Sequence, residues 1–271
     1  MGICAHGLIR IKTIRISVYP ENWPRFTLDK TVKWGILIPM NTLKLAIHNH
    51  KLNLLARYLG LHYNQVVSVD HPAGYTCAKA DICKAYANRH TGCITDMPGS
   101  LFRCYAANTE AYSPAARNMR WYNYDLLRGK STQEITDIIV SSLSEKIKVV
   151  RIHSSGDFFS EQYFMAWVWV ARLYPDITFY GYTKYLDYVR IVSGLNMSNF
   201  KLVYSYGGLD DSRLTNEPTC HVITSVNEGL PLGMNFACVD NPADDYNFIM
   251  EGKSFALALH GGQPKKGKQN G

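Results

Sequence analysis

Apolar residues recur along the chain with two different periods, and their alternation predicts an α/β protein. The segments "KVVRI", "ITFYGYT" and "FKLVYS" are short and rich in β-branched and aromatic residues, as strands are. The segments between them, "SEQYFMAWVWVARLYP" and "YLDYVRIVSGL", carry apolar residues at helical spacing, and Ser160 is the predicted N-cap of the first. Strands that alternate with helices of this length favour right-handed crossovers and therefore a parallel sheet.

Other elements follow from the same periodicities. "QVVSVD" predicts an early strand, and "CHVITSV" and "KSFALALHG" predict two late ones. A helix is predicted over "NTLKLAIHNHKLNLLARYLGL", with Asn41 as its N-cap and Gly60 just beyond its end. "AARNMRWYNYDLLRG" predicts another, and "STQEITDIIVSSLSEK" a third that begins with a capping box of Ser131 and Glu134.

Three consecutive strands end in polar or glycine-rich turns: "HSSGD", "GYTK" and "SYGG". Ligands of parallel sheets bind at the carboxyl ends of the strands, so we expect these turns to lie together. His153, Asp157 and Lys184 are the candidate catalytic residues among them. Two alternatives stay open at this point: Asp157 caps the following helix, and His153 is a hydrogen-bonded structural histidine.

Composition and charge limit the classes of protein. The chain has 271 residues, of which 46% are hydrophobic and 19% charged, so it can bury a core without disulfides. No apolar run reaches membrane-spanning length and the first twenty residues show no export signal, so we expect a cytoplasmic protein with no membrane contact. We expect one α/β domain over residues 1–261 and a disordered basic tail over residues 262–271. The net charge of +7 permits contact with nucleic acid without demonstrating it.

Four of the seven cysteines, Cys77, Cys83, Cys93 and Cys104, fall within one segment, residues 76–105. In a reducing compartment such a group favours metal or redox chemistry over disulfides. The spacing lacks the tight pairs typical of structural zinc and also the standard ferredoxin runs, so zinc, an iron–sulfur cluster and ordinary buried thiols all remain open. The segment is rich in charged residues, which makes it a poor core element. It is therefore predicted to be a metal-binding insert.

Several pieces of the chain resemble the gene product 88 family of phage and mobile-element proteins. They are "CAKADIC", "CYAANTEAY" with "ARNMRWYNYDLL", the long stretch "RIHSSGDFFSEQYFMAWVWVARLYPDITFYGYTK", and "FALALHG", and together they span residues 68–261. The long stretch is the most specific of them. The resemblance implies a phage-encoded protein of a host cell's cytoplasm, with a reduced radical-SAM-like architecture. That architecture is a partial (β/α) barrel, or an open parallel sheet, with a [4Fe–4S] cluster near its first strand.

The resemblance also implies ligands, since Cys77, Cys83 and Cys104 match the cysteines of the family. Cys93 lies in an apparent insertion, and we expect it to be the fourth ligand because its loop can close locally at little cost. Cys220 or Cys238 could replace it. The compact C-x3-C-x2-C signature of radical-SAM enzymes is absent, and a fourth thiolate would leave no iron open for S-adenosylmethionine. That cofactor is therefore doubtful.

The sequence is consistent with two functions. The first is an iron–sulfur protein with redox or radical-SAM-like activity on an unknown substrate, with a redox partner. The second is a non-enzymatic module, stapled by zinc or by a cluster, that binds nucleic acid or a host protein. The sequence identifies neither the substrate nor the oligomeric state.

Overall fold

A computed structural model describes residues 41–47, 49–224, 233–238 and 241–263. All of these residues belong to one compact unit. The seven α-helices of the described residues are α1 His50–Tyr58, α2 Tyr105–Tyr112, α3 Pro114–Leu127, α4 Thr132–Ser142, α5 Glu161–Leu173, α6 Leu186–Gly194 and α7 Pro242–Glu251. The nine strands are β1 Val66–Val69, β2 Ala85–Ala87, β3 Ile94–Asp96, β4 Val149–Ile152, β5 Thr178–Thr183, β6 Phe200–Ser205, β7 Thr219–Ile223, β8 Asn235–Ala237 and β9 Phe255–Ala258.

Seven strands form one sheet in the order β1-β4-β5-β6-β7-β9-β8, and every neighbouring pair in it is parallel. The predicted α/β class with a parallel sheet is confirmed. Strands β1 and β8 stand at the two ends of this order, so the sheet is open. The remaining two strands, β2 and β3, form a separate antiparallel pair.

Alternate side chains of the sheet enter two separate cores. Val150 and Ile152 of β4 join the larger core, which α4, α5 and α6 cover. Val149 faces the other way and joins a smaller core that α1 and α7 cover. This division follows from the two-residue period of a strand, in which successive side chains point to opposite faces. The smaller core is the one next to the candidate site.

Helix α1 begins eight residues later than the sequence pattern predicts. Asn49, not Asn41, is its N-cap, and the Asn49 side chain accepts a hydrogen bond from the backbone N–H of Lys51. Upstream, Ala46 forms an isolated antiparallel bridge with Ser68 through backbone hydrogen bonds of 2.9 and 3.0 Å. Pairing with β1 satisfies this segment's backbone and keeps it extended, despite its helical spacing of leucines.

Most of the other predicted elements are confirmed, including α3, α5 with its Ser160 N-cap, and the Ser131–Glu134 capping box of α4. The sequence analysis missed α2, the β2–β3 hairpin, β8 and α7. The hairpin lies within the cysteine segment, residues 76–105.

Residues 1–40 and 264–271 lie outside the described residues, so the predicted domain limits and the basic tail stay predictions. Within the described part of the chain, no helix has both the length and the apolar character needed to cross a membrane.

Candidate functional site

A cavity of about 350 Å³ lies at the carboxyl ends of the parallel strands. It is open on one side, and most of its lining is apolar or aromatic. The turns after β4, β5 and β6 all reach it, through His153 to Asp157, Lys184, and Tyr206. The expectation that these three turns lie together is therefore confirmed. The remaining walls come from the β1–β2 loop, the start of α2, and strands β7 and β9.

Three cysteines of the segment 76–105 line this cavity. Cys77 and Cys83 lie in the loop between β1 and β2, and Cys104 is the N-cap residue of α2. All three are partly buried free thiols that line the cavity. The three thiols interact electrostatically: Cys83 and Cys104 raise the pKa of Cys77, and Cys83 raises the pKa of Cys104.

The thiols are held in an environment that opposes their ionisation in the absence of a cation. Burial raises the pKa of Cys104 to about 11, and the Cys83 thiol adds to the shift. Burial, Asp157 and the other two thiols likewise raise the pKa of Cys77 well above its usual value. Burial also raises the pKa of Cys83, and the nearby Lys184 opposes that shift. A metal placed here would reverse this preference, because metal ligation deprotonates thiols.

The start of α2 favours a negative sulfur at Cys104. The sulfur makes no strict capping hydrogen bond, but the backbone amides of Ala106 and Ala107 lower its pKa, as does Arg120. Amide dipoles at a helix N-terminus stabilise a thiolate in this way.

The other cysteines are distributed differently. Cys93 is exposed and lies outside the cavity, in the turn of the β2–β3 hairpin. Its carbonyl accepts a hydrogen bond from the Asn88 amide, and its own amide donates to the Thr91 hydroxyl, so the hairpin fixes its backbone. Cys238 is also exposed, whereas Cys220 is buried on β7 and lines the cavity. The structure therefore does not bring Cys93 to the other three thiols.

Asp157 organises the ends of two strands. One carboxylate oxygen accepts hydrogen bonds from the Phe158 amide and the Thr183 hydroxyl, and the other accepts from the Lys184 amide, all at 2.8–2.9 Å. Burial raises the pKa of Asp157 to about 6. Asp157 therefore bonds to residues at the end of β5. It is not the N-cap of α5, the alternative that the sequence left open, because Ser160 caps that helix.

Lys184 is buried and anchored by the backbone of the neighbouring turn. Its Nζ donates to the carbonyl oxygens of Ser205 and Tyr206, each at 2.9 Å. Asp157 and Lys184 therefore tie the ends of β4, β5 and β6 into one rigid rim. Both residues line the cavity.

His153 is buried at the end of β4, with a left-handed backbone at φ 68°. Its Nε2 lies 3.1 Å from the Tyr163 hydroxyl, which is also 2.8 Å from Nε2 of His71. This is the arrangement expected of a hydrogen-bonded structural histidine. His71 was not singled out from the sequence, where it is one polar residue after a strand.

Sequence reasoning also missed Arg151, a buried residue of β4 that lines the cavity. Its signal was the charged residue within "VVRI", a strand otherwise apolar on both faces. A buried arginine in a central strand is rare unless the charge is paired or used.

Within the ranges that the structure describes, no three His, Cys, Asp or Glu side chains are arranged to hold one ion. A metal-binding insert is therefore not shown, although three sulfur donors border one cavity.

Comparison with known proteins identifies one family. The family model described as Gene product 88 matches residues 42–270. The Gene 88 protein of Mycobacterium phage D29 is 28% identical over 111 residues, covering 38% of this chain and 46% of that protein. The Gene 88 protein of Mycobacterium phage L5 is 29% identical over the same length and the same shares. The matched stretch thus spans less than half of these relatives, and no solved structure matches the chain. The names of the family and the relatives specify neither a metal nor a reaction.

Proposed function

We propose, from the premise that the chain belongs to the gene product 88 family, that Cys77, Cys83 and Cys104 hold a [4Fe–4S] cluster at the carboxyl edge of the sheet. The observation that carries the proposal is the meeting of these three thiols at one cavity. They come from two separate loops, and the two exposed cysteines are left out. Uninvolved thiols would have no reason to converge beside the strand ends that bind ligands in parallel sheets.

The surroundings of the thiols suit an anionic cluster. Lys184 and Arg120 are the cations that lower the pKa of Cys83 and Cys104, and amides at the start of α2 act in the same direction. Hydrogen bonds and positive charge near the sulfurs are the means by which proteins stabilise and tune such clusters.

We favour a cluster over one zinc ion, because no three donor side chains among the described residues are arranged to hold one ion. Zinc–sulfur bonds are about 2.3 Å long, so the thiolates on one zinc ion lie within about 4 Å of each other. The described side chains do not form such a group. A cluster is larger than one ion and accepts ligands that are further apart.

Three cysteine ligands leave one iron without a protein thiolate, and the adjoining cavity then becomes the place where a small molecule binds. When bound, a cluster of this kind supplies one-electron chemistry. The function supported best is therefore redox or radical-SAM-like activity on a substrate that binds in the cavity. In this scheme Asp157 and Lys184 hold the rim in position, and Lys184 favours the thiolate of Cys83. S-adenosylmethionine is one ligand to test.

The proposal differs from the sequence analysis in the fourth ligand of the cluster, for which the sequence predicts Cys93. Cys93 would have to leave its hairpin turn to reach the cavity, whereas Cys220 already lines it. We propose that neither exposed cysteine, Cys93 nor Cys238, is a ligand. Cys220 is the protein thiol that could close the open iron.

The test is anaerobic purification followed by iron and sulfide analysis and by electron paramagnetic resonance after reduction. Cys77→Ser, Cys83→Ser and Cys104→Ser should each lose most of the iron and sulfide, because thiolates dominate the binding of such clusters. Cys93→Ser and Cys238→Ser are the matched controls and should keep both. Cys220→Ser should keep the iron and leave the spectrum of the reduced cluster unchanged if one iron is open.

A colourless protein with one equivalent of zinc would overturn the proposal in favour of a zinc-stapled module. Loss of iron in Cys93→Ser, with the folded state retained, would show that the hairpin rearranges to supply a fourth ligand.

A further inference from the structure

The cavity contains a buried cation that the proposed cluster does not need. Arg151 lies in the middle of β4, in register with Ser68 of β1 and Tyr180 of β5. Its side chain is 8% exposed and lines the cavity. It projects from the sheet face that carries Val149 and the smaller core, so its charge is surrounded by apolar and aromatic side chains.

Among the described residues, no carboxylate lies within ion-pair distance of the Arg151 guanidinium. Its Nε is buried without a hydrogen-bond partner. Burial opposes its charge, but Tyr180, Tyr105, Tyr182 and Asp245 together raise the pKa of Arg151, and it also acts on Tyr180 through a hydrogen bond. The Asp245 carboxylate already accepts hydrogen bonds from the Tyr182 hydroxyl at 2.7 Å and from the Tyr246 amide at 3.0 Å. A buried cation that makes no ion pair and keeps one donor without a partner is costly, so its retention calls for an explanation.

Arg151 sits apart from the thiols in its electrostatic surroundings. Lys184 lowers the pKa of Cys83, and Arg120 lowers that of Cys104. Arg151 acts on Tyr105, Tyr180 and Tyr182, and its guanidinium carbon lies 5.1 Å from the centre of the Tyr182 ring. It therefore marks a second region of the cavity, walled by tyrosines.

The cavity lining has more positive than negative side chains. Its two acids, Asp157 and Asp245, are both engaged by hydrogen bonds from the protein. Its cations are Lys51, Lys84, Arg103, Arg151 and Lys184. Arg103 is paired with Asp96, and Lys184 is bonded to backbone carbonyls. A small molecule entering here meets an excess of positive charge in a site of limited solvent access.

We infer that Arg151 binds the oxyanion group, a carboxylate or a phosphate, of the small molecule that occupies this cavity. The planar guanidinium matches both groups in a two-point geometry. A volume of about 350 Å³ is within the range of sites for small ligands. The inference deepens the proposed function, because it names the chemical class of the ligand. It rests on the proposed function for the identity of the site.

The test compares the thermal midpoint of the anaerobically purified protein in sodium phosphate or sodium acetate with that in sodium chloride at equal ionic strength. The oxyanions should raise the midpoint of the unmodified protein in a concentration-dependent way. Arg151→Met should need at least tenfold more oxyanion for the same shift. Arg57→Met, at an exposed arginine outside the cavity, should respond like the unmodified protein.

Two further readouts separate a binding role from a structural one. In chloride alone, Arg151→Met should keep a cooperative unfolding transition, which shows that the variant is folded. Arg151→Gln, which is neutral but keeps hydrogen-bond donors, is the second variant and should lose the oxyanion response as well. A response to phosphate alone assigns a phosphorylated ligand, and a response to acetate alone assigns a carboxylate.

The inference is overturned if the unmodified protein responds to neither oxyanion, or if both Arg151 variants keep the full response. Iron and sulfide are measured on the same samples and should be unchanged by Arg151→Met. Protein that lacks iron but retains the Arg151-dependent oxyanion response would overturn the cluster proposal and leave the anion site standing.

Discussion

His71 and His153 share the hydroxyl group of Tyr163, because the Nε2 atoms of both rings lie within hydrogen-bond distance of it. A phenol donates only one hydrogen bond, so two neutral rings here adopt opposite roles, one donating to the oxygen and the other accepting from it. Burial lowers the pKa of His71 to about 3 and that of His153 well below its usual value. Both rings are therefore neutral in the folded protein at neutral pH.

This pair predicts a loss of stability in acid. The folded state resists protonation while the unfolded chain accepts protons near pH 6.5, so stability is present above that pH and declines as pH falls towards the folded-state pKa values. For His71 alone the decline amounts to about 3 kcal/mol by about pH 4.5. Urea midpoints measured from pH 7 downwards should show a shallower decline in His71→Gln, which keeps a polar partner for Tyr163. An identical pH slope in that variant would contradict the prediction.

Gly156 shows how tightly the strand-end turn is packed. Its φ is +85°, and a Cβ added there would lie 2.6 Å from the Thr76 hydroxyl and 2.9 Å from Cβ of His71. Gly156→Ala should destabilise the protein by about 2–4 kcal/mol, through left-handed strain and overpacking. Gly60→Ala is the matched control, because φ there is +67° and nothing lies within 4 Å of the added atom. It should cost about 1–2 kcal/mol by chemical denaturation. Equal losses of stability in Gly156→Ala and Gly60→Ala would show that the packing around Gly156 can accommodate a Cβ.

At the scale of elements, the sequence predicts those whose signals are local. The capping box of α4 and the Ser160 cap of α5 need only residues that are neighbours in sequence, and both are confirmed. The start of α1 depended on the pairing of Ala46 with Ser68, which lies 22 residues away along the chain and leaves no local signal. Helix α2 is short and weakly amphipathic, so its apolar pattern gave little to detect.

Helices α2 and α3 are joined to the strand ends by one buried ion pair. Glu110 on α2 accepts hydrogen bonds from Arg120 on α3 at 2.9 Å, from the Ala73 amide at 2.8 Å and from the Ser155 hydroxyl at 3.3 Å. Both charged side chains are almost fully buried. The pair thus links two helices to the loops after β1 and β4, and positions Cys104 at the start of α2.

Removing one partner of this pair should be severe. Arg120→Met leaves the Glu110 carboxylate buried and uncompensated, at an expected cost of about 3–5 kcal/mol. The double variant Glu110→Gln/Arg120→Met should recover part of that loss, since no charge is then buried alone. Urea denaturation of the single and double variants measures the coupling directly. Strictly additive costs would indicate that the two side chains do not act as a pair.

At the scale of the whole molecule, the sequence could predict that three strand ends meet, because this follows from the topology of any parallel sheet. It could not predict which cysteines join them. Cys93 is closer than Cys104 to Cys77 and Cys83 in sequence, yet the β2–β3 hairpin holds Cys93 outside the cavity and the start of α2 places Cys104 in its wall. Arg151 reaches the same cavity from the sheet face that carries the smaller core, which depends on the packing of the whole sheet.

The loop that carries Cys77 and Cys83 is held to the far side of the site mainly by main-chain contacts. The amides of Asp81 and Ile82 donate to the Gly207 carbonyl at 3.2 and 3.3 Å, and the Leu209 amide donates to the Lys79 carbonyl at 3.0 Å. These bonds join segments more than 120 residues apart in sequence, and the amides of Asp81 and Ile82 share the Gly207 carbonyl as their acceptor. A loop that is held by a few such hydrogen bonds opens more readily than a buried helix does.

A cluster bound by Cys77, Cys83 and Cys104 would cross-link this loop to the start of α2, so we expect it to suppress that opening. Hydrogen exchange at the amides of Asp81, Ile82 and Leu209 should therefore slow when cluster-free protein is reconstituted anaerobically with iron and sulfide. Amides in the middle of α5, which is buried in the larger core, serve as the internal control and should not change. Equal exchange in the loop before and after reconstitution would mean that the metal, if bound, is held elsewhere in the chain.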